Sequence, residues 1–187
     1  MMPSPIQLLE LSFKRIKVEV DEEHAPTEPA AHSAPAFGFD GVNITTEFGI
    51  GELDASSPVP AGRTYFVSLR VLIDNAPASG PEPQKFSPYL IDVEAGGVVH
   101  VPPPPNDKAT PQDLAVVNGA ALLWSSIREQ VLSLTSRMPP RQAMLPTVHF
   151  LDLKDSLTTI VADPPIGSAT DEPAKRSARP SRKRATP

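Results

Sequence analysis

Residues 111–138 limit the fold most, because they read as one helix that is apolar around most of its circumference. Thr110-Pro111-Gln112-Asp113 is a helix start: a capping hydroxyl, a proline where the N–H is not needed, and an acid three residues after the cap. Pro139-Pro140 mark the stop, so the helix is expected to run to Met138 as a rod of roughly 40 Å. Leu114, Val116, Val117, Ala120, Ala121, Leu122, Leu123, Trp124 and Ile127 go nearly all the way round it, which requires burial on more than one face. A single sheet covers one face. A partner subunit is the simplest source of the second layer, and Val117, Ala121, Trp124 and Arg128 are the residues expected at that oligomer interface.

Four strands are expected before the helix. Leu9, Leu11 and Phe13 alternate, and after Lys14-Arg15 the pattern resumes one residue out of phase as Ile16, Val18 and Val20. A slip of one residue sends the core-facing set to the opposite face unless a bulge absorbs it, so a long strand with a bulge near Lys14 follows. A second strand carries Val42, Ile44, Thr46, Phe48 and Ile50 on one side, and a third carries Tyr65, Val67, Leu69, Val71 and Ile73. Alternation of this kind marks strands with one wet face. The fourth, around Tyr89, Ile91 and Val93, meets Gly96-Gly97, where a bend or turn is expected, and ends at the prolines 102–105. The Pro/Gly/Ser stretch 76–83 between the last two fits an antiparallel meander.

The remainder reads as connection or tail. Residues 21–40 are acids, prolines and alanines without periodicity, expected to form a disordered loop. Residues 139–146 are a Pro-rich connection to a second, shorter amphipathic segment with Val148, Leu157, Ile160 and Val161. The architecture expected is therefore α+β, a four-stranded antiparallel sheet followed by one long and one short helix, with a domain over 1–161 and a disordered tail over 162–187. Six of the 17 Lys+Arg lie after Glu172 with no acid following, so residues 1–172 carry 11 basic groups against 22 acids, a formal −11. An acidic body thus carries a basic end.

Several function classes are set aside. With no cysteine there is no disulfide framework, thiolate-bound metal or thiol nucleophile. His24, His32, His100 and His149 show no ligand spacing, so no metal or cofactor is expected. Gly49-Ile50-Gly51 lacks the third glycine and following helix of a dinucleotide turn. No nucleophile elbow occurs, and an enzyme is not expected. The start has no basic region before an apolar run and no window is long enough to span a bilayer, so a cytoplasmic protein without membrane insertion is expected. The tail's Lys175, Arg176, Arg179, Arg182, Lys183 and Arg184 attract phosphate but lack interleaved aromatics, which points to nonspecific electrostatics rather than nucleic-acid readout.

Residues 117–150 resemble the long helix and exit segment of the SecB family. The resemblance rests on Asn118-Gly119-Ala120 with Leu123-Trp124, on Arg128-Glu129, on Leu134-Thr135-Ser136-Arg137, and on the exit Leu145-Pro146-Thr147-Val148 followed by Phe150. Upstream, Ile91-Asp92-Val93-Glu94-Ala95-Gly96-Gly97-Val98 is similar to the family's fourth strand at the matching distance. The resemblance implies the antiparallel sheet with two helices, assembled as a dimer of dimers. It further implies an ATP-independent holdase that binds unfolded or precursor polypeptides and supports export through the translocase motor SecA. Relatives associated with toxin–antitoxin systems instead hold a single antitoxin, which is the alternative expectation; tail-mediated nucleic-acid association is a third. Glu19, Leu90 and Asp92 match the family's motor-contact surface, while Arg15 stands at a position that is acidic there. The client groove is expected between sheet and short helix, from Phe48, Tyr89, Met144, Val148, Leu157, Ile160 and Val161.

Overall fold

The computed structural model describes residues 6–27, 35–54, 61–77, 84–103 and 109–153. Period-two alternation builds its sheet. In β4 (Arg63–Ile73), Tyr65, Val67, Leu69, Val71 and Ile73 are buried while the residues between them are not. β5 (Tyr89–Val101) buries Tyr89, Ile91, Val93, Ala95, Val99 and Val101 on the same side, and β1 (Gln7–Val20) and β3 (Thr45–Leu53) form the edges. The order is β1-β5-β4-β3, and every neighbouring pair is antiparallel. The three strands β3, β4 and β5 make the expected meander. Because β1 lies beyond β5, residues 21–44 carry the chain from one edge of the sheet to the other.

The bulge expected near Lys14 is present. Pairing between β1 and β5 shifts between Phe13 and Arg15, so that Phe13, opposite Ala95, and Ile16, opposite Val93, keep the same face. A second shift between Leu8 and Glu10, not foreseen, does the same for Leu8, opposite Val99, and Leu11, opposite Gly97. Gly96 and Gly97 do not turn β5, which continues through both. Gly97 is needed for close approach instead: a Cβ there would lie 2.7 Å from the Glu10 carbonyl oxygen and 2.9 Å from Leu8 Cδ1.

The loop expected over 21–40 is not disordered at its ends. Asp21 N–H donates to the Pro88 carbonyl at 3.0 Å, and β2 (Phe37–Gly38) pairs in parallel with β6 (Ala143–Met144). Phe37 and Phe39 are 6% and 3% exposed and meet edge to face at 5.1 Å, so two aromatic side chains tie the crossover to the core. The middle of this loop, 28–34, lies outside the described residues. The second strand also starts later than its pattern suggests. Gly41, in the left-handed region at φ 79°, turns the chain so that Val42 bridges Lys85 and the ladder begins at Thr45.

Helix α1 (Pro111–Thr135) packs across β4 and β5. Its capping box is complete, with Thr110 Oγ1 accepting from Asp113 N–H and Asp113 Oδ2 from Thr110 N–H, each at 3.1 Å. Gly119 lets it lie close on the sheet, since a Cβ there would stand 3.1 and 3.2 Å from the Val67 methyls. The helix stops at Thr135, short of Met138, because the chain already tightens into turn bonds from Arg137 N–H to Leu134 O and from Met138 N–H to Thr135 O.

Part of the layer over the helix comes from the chain itself, while Ala121 and Leu122 stay exposed. Residues 143–150 run back beside α1. Ala143 N–H donates to Thr135 Oγ1 at 2.9 Å, Arg128 Nε to the Leu145 carbonyl at 2.8 Å, and Trp124 Nε1 to the Pro146 carbonyl at 2.9 Å. Phe150 then meets the Trp124 ring edge to face at 6.0 Å. Trp124 and Arg128, expected at a subunit interface, are thus occupied within one chain, whereas Val117 is half-buried and Ala121 exposed. Leu157, Ile160 and Val161 of the expected short helix, and the basic tail, lie outside the described residues. Among the described residues no helix is long and apolar enough to cross a membrane.

Candidate functional site

Where β4 ends, Asn75 takes the left-handed conformation, φ 57°, which asparagine tolerates better than most residues. Its amide joins three segments. Nδ2 donates to Asp21 Oδ2 at 2.6 Å and to the Ser87 carbonyl at 2.8 Å, and Oδ1 accepts from Ser87 N–H at 2.9 Å. Asp21 in turn holds His24 Nδ1 at 2.9 Å and accepts from Glu23 N–H at 3.1 Å. Burial by itself raises the Asp21 carboxyl, but the hydrogen bonds from His24, Asn75 and the Glu23 amide outweigh it and leave Asp21 below the ordinary carboxylate value. So held, the His24 ring stacks on Phe86 at 4.4 Å.

Opposite stands Phe37, from the crossover. Lys85 Nζ lies 4.4 Å from its ring centre and donates to the Gly38 carbonyl at 2.7 Å, and the Arg141 guanidinium carbon lies 5.5 Å from the same ring. Between the two aromatic walls opens a cleft of about 370 Å³, lined by His24, Phe37, Phe86 and Arg141 with Pro26, Pro88 and Pro140. Prolines and aromatics present apolar faces that keep their shape, which suits an extended chain.

Tyr89 lies beneath this cleft rather than in it. It is fully buried, its hydroxyl donates to the Arg141 carbonyl and accepts from Arg141 N–H, and burial pushes its phenol above the ordinary value. Its expected contact with a client is therefore corrected to support of the Arg141 wall. Of the other expected groove residues, Phe48 is half-buried on β3, and Met144 and Val148 are both 39% exposed. The convergence of Phe37, Phe86, Lys85 and Arg141 on one cleft is not foreseen from sequence. The alternation of Phe37 and Phe39 is its one visible signal.

The sheet face away from the helix carries Glu19, Leu90 and Asp92, as a group. Glu19 pairs across the strands with Leu90 and lies 3.1 Å from Lys17 Nζ. Asp92 is gripped from two sides, by Arg15 Nη1 at 2.7 Å and by Arg70 Nε at 2.8 Å. The Arg70 hydrogen bonds, acting against burial and aided by Arg15, push Asp92 down to about 2. Glu94 meets Lys14 at 2.8 Å on the same face. The acid expected to serve as a partner contact is internally neutralised. Among the described residues no group of three His, Asp or Glu is placed to hold a metal ion, and Gly49 lies mid-strand opposite Ser68, away from any helix start.

Comparison with known proteins gives limited likenesses. No family model matches the chain, and no curated protein matches it. Among solved structures the chain is similar to the Mycobacterium tuberculosis Rv1957 SecB-like chaperone in complex with a ChAD peptide from the Rv1956 HigA1 antitoxin. The identity is 16% and the TM-score 0.36, over 76% of this chain and 90% of that one. It is also similar to a protein of unknown function from Streptococcus agalactiae, at 13% identity and a TM-score of 0.43, over 76% of this chain and 97% of that one.

Proposed function

We propose that this chain is an ATP-independent holdase for non-native polypeptide, acting in the cytoplasm as a homo-oligomer, in the resemblance's form a homotetramer. The observation that carries the reading is a preformed aromatic and proline cleft on a domain that also leaves large apolar side chains in water. Leu9, Leu11, Ile16, Phe66, Phe86 and Leu151 are 55, 40, 45, 44, 38 and 63% exposed. They lie on both faces of the sheet and at its ends, as several separate apolar contact points. An extended segment covering roughly 200 Å² of them gains roughly 5 kcal/mol from apolar burial. Several such patches in series hold a client by avidity without selecting its sequence.

The SecB-family resemblance adds delivery of precursors to SecA. A second outlet is favoured by one observation, the neutralisation of Asp92 by Arg15 and Arg70, which takes up a negative charge that a basic motor segment would need. It is custody of one dedicated partner such as an antitoxin.

Light scattering tests the reading. Several unrelated proteins, diluted from denaturant, are expected to aggregate less in the presence of this chain and no nucleotide, with or without residues 162–187. Failure to protect any of them would sink the holdase reading, and protection of a single cognate protein would select the dedicated form.

A further inference from the structure

We infer that the cleft between Phe37 and Phe86 selects extended non-native segments in which an aromatic residue stands next to Asp or Glu, an inference that rests on the holdase reading. The first half follows from the walls: Phe86 with the His24 ring stacked on it, three prolines and the little-exposed Phe37 line a volume of about 370 Å³ that suits a flat apolar side chain. The second follows from the cations at Phe37. The three arginines of the sheet face carboxylates, Arg15 at 2.7 Å, Arg63 at 3.2 Å and Arg70 at 2.8 Å, and Arg128 is committed to the Leu145 carbonyl. Arg141 has no ion pair among the described residues, yet it is half-buried and lines the cleft. A carboxylate entering beside the aromatic anchor would complete it, through the paired N–H donors that guanidinium presents.

The acids nearby do not fill that role. Asp21 is committed to His24, Asn75 and the Glu23 amide, and Glu22 and Glu23 are exposed without lining the cleft. Lys85 adds a second positive charge over the same ring. The preference also runs against the field of the whole body. With 11 basic against 22 acidic groups over residues 1–172, long-range electrostatics favours basic segments, so a preference for acid can arise only locally.

The test uses the full chain and fluorescence anisotropy of labelled, extended peptides that differ at their centre: Phe-Glu, Phe-Lys and Ala-Glu. Phe-Glu is expected to bind about tenfold more tightly than Phe-Lys, the factor that one charge-assisted hydrogen bond supplies. Arg141→Gln should abolish that difference while keeping Phe-Glu above Ala-Glu, and Arg141→Lys should restore part of it. Should Arg141→Gln fail to fold, aromatic resonances of His24 and Phe86 in the unaltered chain must move on addition of Phe-Glu. Equal or tighter binding of Phe-Lys overturns the inference, as does a preference that survives Arg141→Gln or a silent His24 and Phe86. Aggregation assays run in parallel separate the two ideas. A chain that holds unfolded proteins without the peptide preference refutes only this inference, and one that does neither refutes the holdase reading as well.

Discussion

The Tyr89 hydroxyl closes a two-way hydrogen bond with the backbone of Arg141, donating to its carbonyl and accepting from its amide. One phenol on β5 thereby fixes the segment that follows the helix, 52 residues later. Tyr89→Phe keeps the buried ring but leaves both Arg141 backbone groups without a partner. We expect a loss of about 1–2 kcal/mol in urea unfolding, together with weaker binding of aromatic peptides. Unchanged stability would show that the contact is dispensable.

Asp92 makes stability depend on acid. Its folded value, about 2, lies below the ordinary 3.8, so the ionised group stabilises the fold above about pH 3.8 and that contribution is lost as the pH falls toward about 2. Asp21 is shifted in the same direction. Urea midpoints measured across this window should fall with decreasing pH, and Asp92→Asn should flatten the fall. Parallel curves for the two proteins would assign the acid sensitivity elsewhere.

The adjacent glycines of β5 should respond differently to alanine. At Gly97 the new Cβ meets the Glu10 carbonyl oxygen at 2.7 Å, a backbone atom that moves only if β1 moves, so Gly97→Ala should cost about 1–3 kcal/mol. At Gly96 it meets Phe66 Cζ at 2.8 Å, the far end of a ring that is 44% exposed. That ring can swing aside, and the entropy gain of about 0.5–1 kcal/mol for replacing glycine brings Gly96→Ala near neutrality. Thermal unfolding of the two variants should rank them in this order.

Trp124 is the single tryptophan, 5% exposed, and its ring rests on residues 143–150. Its emission therefore reports whether that segment is seated. Arg128→Met removes the donor to the Leu145 carbonyl and should cost about 1 kcal/mol. The expected signature is a red-shifted emission with helical circular dichroism unchanged. An emission that stays put would mean that Arg128 does not hold the segment.

What the sequence reveals is what local periodicity encodes. The phase slip between Phe13 and Ile16 announces the Lys14 bulge, the alternation from Tyr65 to Ile73 announces a strand with one buried face, and Thr110 to Asp113 announces the helix start. The site is hidden for a different reason. Trp124 and Arg128 bond to carbonyls 22 and 17 residues away, and backbone carbonyls carry no residue identity for a pattern to detect. Phe37 and Phe39 sit among prolines and alanines that dilute their signal, and their burial depends on the return of Ala143 beside them. Apolar residues all round α1 call for two layers, and composition does not show that the chain's own return meets Trp124 and Arg128 while Ala121 and Leu122 stay exposed.

The two register shifts in β1 bear on a hazard peculiar to proteins that keep apolar groups in water. This strand is long and lies at the border of the sheet, where another extended chain could dock along its outer rim and a third upon that. Displaced pairing at Leu9 and Lys14 divides the rim into short straight runs whose directions do not agree. A guest a few residues long can still lie against one run, whereas endless stacking of like upon like is interrupted at each kink.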